Sequence, residues 1–285
     1  MLKTLTINAI TQYIDDNLEN MSIDINVLVD YSGYSRRYLQ LLFKENIGVT
    51  LGKYIQLRRI TRAAILLRFT NLNILDISER LFYDSQQTFT REFKKNSGYT
   101  PLQYRKSKIW FFKNMTGHRK ANHNFPEPDI RYLERKEFHG RKMFFKEAIP
   151  VIGPLTKKKW DVVDCLLSRT NKPVYISHKI EDEKDNKNIK FNAVLWNNEA
   201  DNSISEELEE GYYACFLFNG TRNEYRKFTY NIYMNALPFY GLQRKDSYDL
   251  EIITKINNDV CCYEYYLPLR NEWDNSTWTG QVKGI

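Results

Sequence analysis

The stretch Ile74-Leu-Asp-Ile77-Ser-Glu-Arg-Leu81-Phe-Tyr-Asp84-Ser85-Gln86-Gln87-Thr88-Phe89-Thr90-Arg91-Glu92-Phe93 decides the fold of the first part of this chain. Ile74, Ile77 and Leu81 recur at helical spacing, Phe82 to Asp84 read as a turn, and Phe89 and Phe93 anchor a second helix. Asp84 or Ser85 is the expected N-cap of that helix, with Gln87 the capping-box partner of Asp84. The pattern is helix, tight turn, helix.

A similar unit lies upstream. Ile25 to Tyr31 form its first helix, Ser32-Gly33-Tyr34-Ser35 its turn, and Leu39, Leu42 and Phe43 the buried side of its second. Gly33 supplies the permissive backbone and Ser35 a cap for the helix that follows. Before this unit, Ile7, Ile10, Ile14 and Leu18 make one apolar stripe on a leading helix. Between the units, Leu51 to Phe69 reads as one continuous helix of roughly 28 Å, lined by Arg58, Arg59, Arg62 and Arg68. Successive major-groove segments on one face of DNA lie about 34 Å apart, so such a rod could set two second helices in adjacent turns. One monomer would then read a bipartite site.

Charge supports a nucleic-acid partner. Residues 1–113 hold 17 Lys and Arg against 10 Asp and Glu, whereas residues 114–285 hold 25 of each, so the net +7 comes from the N-terminal part. Within it, residues 31–113 carry +11 and the first 30 residues are acidic. A localised basic excess beside two helix-turn-helix patterns suits phosphate backbone. At 100° per residue, burial of Leu39, Leu42 and Phe43 turns Arg37 and Leu41 outward, with Arg36 and Gln40 at their flanks. The same geometry turns Gln87 and Arg91 outward, with Thr88 and Thr90 beside them and Gln86 nearer the core edge. Arginine can donate twice to guanine and glutamine can pair with adenine, so these are the expected base-reading positions.

Ser32-Gly-Tyr-Ser35, Tyr38-Leu-Gln40, Phe43-Lys44, Leu51-Gly-x-Tyr-Ile55, Asp84-Ser-Gln-Gln-Thr-Phe-Thr-Arg-Glu-Phe-Lys94 and Gly98-Tyr-Thr-Pro-x-x-Tyr-Arg105 resemble the DNA-binding domain of the AraC/XylS family, in its MarA/SoxS/Rob subgroup. The resemblance covers residues 6–107, with helix-turn-helix units at 25–46 and 74–97. It implies monomeric binding to double-stranded promoter DNA, both recognition helices in the major groove, and recruitment of RNA polymerase. Carried over by position, base reading falls on Arg37, Gln40, Leu41, Gln86, Gln87 and Arg91. Arg36, Thr88, Thr90, Lys94, Lys95 and Arg105 are the expected backbone or flank contacts. Leu41 stands where the subgroup has an arginine, and Arg37 where several relatives have tryptophan, so the first half-site should differ from theirs.

A linker is expected over 108–129, marked by Pro126 and Pro128, followed by a second domain over 130–270 and a polar tail over 271–285. In the second domain, strand-like Met143–Ile149, helical Thr156–Ser168, then strand-like Val174–Ile180 and Phe191–Trp196 are echoed by Tyr212–Phe218, Arg222–Leu237, Tyr248–Ile256 and Val260–Leu267. That is βαββ twice. Tyr248-Asp-Leu-Glu251 with Glu264-x-x-Leu-Pro-Leu-Arg270 resembles the GyrI-like effector-binding domain. The expected architecture is therefore multi-domain, all-α with two helix-turn-helix units and then α+β. By this resemblance Glu251 takes the place of an acidic residue that faces cationic aromatic compounds. With Trp196, Tyr213 and Phe216 it forms the expected pocket for a small cationic or amphipathic effector. The whole arrangement is similar to that of enterobacterial activators of capsular and fimbrial operons.

Other classes find little support. His118, His123, His139 and His178 lack metal-ligand or triad spacing and no Gly-rich phosphate loop occurs, so no enzyme, metal or cofactor is expected. A small-molecule sequestration module built on the GyrI-like half is the alternative reading. Met1 to Ile10 form neither a signal peptide nor a lipidation motif, and no 18-residue apolar run appears. Cys165, Cys215, Cys261 and Cys262 lack CxxC spacing. A cytoplasmic protein with reduced thiols and no membrane partner is expected.

Overall fold

The computed structural model describes residues 2–112, 114–117, 127–148, 157–170, 172–181, 188–196, 204–270 and 282–283. His118, His123, Pro126, Ile149, Thr156 and most of the expected tail lie outside them.

Seven helices come first: α1 (Leu2–Asn17), α2 (Ile25–Ser32), α3 (Arg36–Ile47), α4 (Leu51–Phe69), α5 (Ile74–Arg80), α6 (Gln86–Ser97) and α7 (Pro101–Lys106). The α2–α3 turn passes through Gly33 at φ 68°, a left-handed conformation that glycine adopts without a Cβ penalty. At the equivalent turn between α5 and α6, Phe82 takes φ 57°. Ser35 and Ser85 are the N-caps, their hydroxyls accepting from the Tyr38 and Thr88 amides. The cap therefore falls on Ser85 and not Asp84, with Thr88 as its partner, so Gln87 makes no capping box.

Helix α4 joins two cores. Its first turns, with Leu51, Tyr54 and Ile55, close over Ile7, Ile10, Leu28, Leu39 and Phe43. Its last turns, from Ile60 to Phe69, pack with Ile77, Leu81, Phe89, Phe93 and Tyr104 in a core that runs on into the C-terminal half.

The arginines expected to line α4 are largely spent inside the protein. Arg58 grips Asp15 with two donors, at 2.8 and 3.1 Å, and donates to the Thr116 carbonyl at 2.7 Å. Arg62 and Arg80 share Glu19, and Arg68 donates to the Ser107 and Ile109 carbonyls. The acidic opening of the chain thus neutralises part of the basic segment that follows it.

After β1 (Ile109–Trp110) come β2 (Asp129–Leu133), β3 (Lys136–Ala148), α8 (Lys157–Thr170), β4 (Val174–Ile180), β5 (Asn188–Trp196), β6 (Ile204–Leu208) and β7 (Gly211–Gly220). Then follow α9 (Arg222–Asn231), a π-helical turn (Ile232–Ala236), α10 (Leu237–Tyr240), β8 (Arg244–Lys245), β9 (Asp249–Lys255), β10 (Cys261–Pro268) and β11 (Val282–Lys283). Nine strands form one sheet in the order β11-β2-β7-β10-β9-β4-β5-β3-β6. Each βαββ unit, β3-α8-β4-β5 and β7-α9-β9-β10, places its third strand between its first and second, and the units meet along antiparallel β4 and β9. The expected pair of βαββ units is the fold of this half.

The chain between the halves is pinned where it is described. β1 pairs with β8, and the Thr61 hydroxyl donates to the Thr116 carbonyl at 2.9 Å. A Cβ on Gly117 would stand 2.4 Å from the Asn235 carbonyl oxygen, so glycine is needed for this close approach.

Candidate nucleic-acid interface and effector cavity

Helices α3 and α6 each bury one side and expose the other. Leu39, Leu42 and Phe43 are buried, while Arg36, Arg37, Gln40, Leu41 and Lys44 are exposed, Leu41 to 57%. In α6 Phe89 and Phe93 are fully buried, while Gln86, Gln87, Arg91, Lys94 and Lys95 are exposed and Thr88 and Thr90 half-buried. Gln86 is the first residue of its helix and stands clear of the core edge assigned to it from periodicity. Each helix is capped by serine at its start and by a left-handed glycine, Gly48 or Gly98, at its end. The two surfaces are thus equivalent in construction, and their donors and acceptors point to solvent.

Arg105 is different. Its guanidinium donates to the Leu72 carbonyl and, at 3.3 Å, to that of Leu67, tying α7 to the end of α4. Expected as a DNA backbone or flank contact, it is bonded to the Leu67 carbonyl in the last turn of α4, one that the helix end leaves without an intrahelical partner, and to the Leu72 carbonyl in the loop that follows.

In the C-terminal half, Glu251 lines a cavity of about 80 Å³ between the sheet and the helices, walled by Phe145, Trp160, Phe191, Tyr225, Tyr233 and Tyr265. Phe69, the last residue of α4, Met234 of the π-helical turn, and Arg226, Thr229 and Tyr230 of α9 also line it. Sheet pleating breaks up the expected effector pocket. Residues alternate between faces, and Trp196 and Tyr213 pack on the far side of the sheet with Phe138, Tyr248 and Leu250. There Trp196 stacks on Phe138 at 4.9 Å and its indole N–H donates to Ser177, while the Tyr213 hydroxyl donates to the Glu209 carbonyl. Phe216 is fully buried in the helix-side core without lining the cavity.

Two carboxylates on this face are fully engaged. Glu251 receives Lys159 Nζ at 2.8 and 3.0 Å on its two oxygens, and His178 Nε2 stands 2.8 Å from Oε1. Burial alone would raise its pKa, but the Lys159 ammonium and His178 outweigh burial and hold it down to about 2. Asp249 accepts from Arg244 at 2.8 Å and from the Tyr265 hydroxyl at 2.6 Å, and also bonds the Tyr233 hydroxyl. Arg244 lies 5.0 Å from the ring centroid of Trp110, which packs edge-on against Phe69 of α4. No motif marks Lys159 or Tyr233 in the sequence, His178 stands there only as a histidine without ligand or triad spacing, and Phe69 only as the end of the long helix. The only hint at Lys159 was a run of three lysines ahead of Trp160, which reads as a solvated charge cluster.

Among the described residues no helix is long and apolar enough to cross a membrane, and no three His, Cys, Asp or Glu side chains are grouped to hold a metal ion.

Residues 28–107 match a helix-turn-helix domain family, and residues 151–270 match the GyrI-like small molecule binding domain. The chain is 44% identical to the F1 operon positive regulatory protein of Yersinia pestis, over 94% of this chain and 89% of that protein. It is 30% identical to the transcriptional regulator Rob of Salmonella typhimurium, over 77% of this chain and 80% of that one. With the putative HTH-type transcriptional regulator YkgA of Escherichia coli (strain K12) it shares 44% identity over 54% of this chain and 59% of that protein.

Proposed function

The chain belongs to the AraC/XylS-type transcription regulators that carry a GyrI-like domain, and on that premise we propose that it is a sequence-specific activator reading two adjacent major-groove segments as a monomer. The observation that carries this reading is the pair of equivalent surfaces on α3 and α6, presented from opposite ends of one helix that is buried at both. Arg37, Gln40 and Leu41 meet base edges at one segment, and Gln86, Gln87 and Arg91 at the other. Arg36, Thr88, Thr90, Lys94 and Lys95 hold the flanking phosphates. Leu41 can touch a thymine methyl but cannot donate to guanine, so the first half-site is this protein's own.

Bound beside a promoter, the protein recruits RNA polymerase. The likeness to the F1 operon positive regulatory protein supports the positive role; a surface-antigen, fimbrial or other virulence-type operon as target, and action in the cytoplasm, belong to the same proposal. A sequestration module for cationic compounds has less support, because the Glu251 carboxylate that would attract them is already paired.

The test is a mobility-shift titration with promoter DNA and scrambled DNA at one salt concentration. Arg91→Ala should weaken promoter binding by about 1–3 kcal/mol and narrow the gap between the two DNAs. Unaltered promoter affinity in this variant would remove α6 as a reading helix, and equal affinity of the parent protein for both DNAs would point to nonspecific binding.

A further inference from the structure

The cavity in the C-terminal half has the chemistry of a cation site, a buried carboxylate framed by aromatic rings. A cation from the chain itself already fills it. Lys159 Nζ bonds both oxygens of Glu251 and lies 4.8 Å from the ring centroid of Phe145 and 5.4 Å from that of Trp160. The side chains of Lys159 and Glu251 are 6% and 4% exposed, so water does not share the pair. Its members come from separate elements: Lys159 from α8, Glu251 from β9, His178 from β4 and Phe145 from β3.

We propose that Lys159 is a tethered, permanent occupant of a cation site, so that the folded domain is closed to cationic aromatic compounds and truncation of Lys159 opens a site for small alkylammonium ions.

Three physical points support this. First, a free cation would have to displace an ammonium held at high effective concentration by its own helix, leaving that ammonium buried and unpaired. Second, the remaining space of about 80 Å³ falls well short of the roughly 300 Å³ or more of a drug-sized pocket. Third, the filled cavity has a mechanical use. Its wall includes Phe69, which packs on Trp110 at 5.0 Å and on Tyr233 at 5.6 Å, so the Lys159 plug stiffens the surface against which the DNA-binding half rests. A site filled from within makes that support independent of any small molecule. This inference stands apart from the DNA-reading proposal.

Lys159→Ala removes a fragment the size of n-propylammonium, which serves as the probe, with n-propanol as its neutral counterpart. Binding is read in the full chain by titration calorimetry and thermal shift. The expected result is that K159A binds n-propylammonium at least about tenfold more tightly than the parent protein does, the worth of a modest charge pair. It should also be stabilised by the ammonium well beyond any effect of n-propanol, and K159A/E251Q should lose that preference. Equal binding by parent and K159A would mean the site is open in the native chain and overturn the proposal. Equal stabilisation of K159A by ammonium and alcohol, or an ammonium preference persisting in K159A/E251Q, would also overturn it. Should K159A fail to fold, Lys159→Met keeps the stem volume without the charge. K159M should then melt below K159M/E251Q, in which the stranded carboxylate is gone, and equal melting of the two would refute the pairing.

Discussion

Replacing Asp15 with alanine leaves Arg58 buried with the Thr116 carbonyl as its remaining hydrogen-bond acceptor, and the outcome separates two views of the α4 arginines. The pair is bidentate at 2.8 and 3.1 Å, with side chains 8% and 16% exposed. Removing one partner of a buried pair costs about 3–5 kcal/mol, and the partial exposure of Asp15 argues for the lower end, about 3 kcal/mol. In a chain of this size each kcal/mol lowers the melting temperature by about 2–4 °C, so a drop of roughly 6–12 °C is expected. The assay is thermal or urea unfolding followed by circular dichroism, with DNA affinity measured across a salt series by fluorescence anisotropy. If Arg58 is structural, the variant loses stability while the salt dependence of DNA binding stays unchanged, because no new phosphate contact has been freed. An Asp15→Ala protein that kept its parent's stability and bound DNA more tightly, with a steeper salt dependence, would refute the internal role of Arg58.

Other substitutions test neighbouring parts of the account. Arg105→Met should cost about 2 kcal/mol of stability through loss of the Leu67 and Leu72 carbonyl bonds while leaving the salt slope of DNA binding intact, measured in the same two assays. Gly33→Ala meets nothing within 4 Å of the added Cβ, so its cost in urea unfolding is that of the left-handed backbone alone, about 1 kcal/mol. Acid titration followed by intrinsic fluorescence reports on Glu251. Its folded-state pKa lies below the ordinary 4.5, so its contribution is present at neutral pH and lost as pH falls from about 4.5 toward 2. Glu251→Gln should flatten the stability profile over that window, and an unchanged profile would show that another carboxylate governs it.

Helical spacing made the first half legible. Ile7, Ile10 and Ile14 share a face in a helix and not in a strand, where the odd spacing of Ile7 and Ile10 would put them on opposite sides, and Gly33 and Ser35 carry their turn and cap roles in their own chemistry. The cap of α6 was ambiguous because Asp84 and Ser85 are both good caps and differ by one residue of register. In the second half, alternation fixes which residues of one strand share a face but not which face a neighbouring strand aligns with it. That is why Trp196 and Tyr213 read as companions of Glu251 when the pairing sends them to the far side. Lys159 was hidden for a related reason: a lysine becomes a buried partner only when a strand distant in sequence supplies its carboxylate.

The pairing of Asp15 and Glu19 with Arg58 and Arg62 did leave a trace, since the members of each pair are four residues apart, the arginines one turn apart on α4 and the carboxylates in the last turn of α1 and in the turn that follows it. Their neutralisation changes what the basic excess means. Arg58, Arg62, Arg68, Arg80 and Arg105 bind carboxylates or carbonyls within the protein, whereas Arg36, Arg37 and Lys44 on α3 and Arg91, Lys94 and Lys95 on α6 remain exposed. Much of the positive charge available to phosphate is therefore on the two proposed recognition helices, with Lys53 of α4 and Lys106 and Lys108 at the end of the domain also exposed. Helix α4 acts as a beam, Arg58 and Arg62 at its middle holding Asp15 and Glu19 and Arg68 near its end holding the Ser107 and Ile109 carbonyls, so the separation of the two reading surfaces is set by a core rather than by a loop.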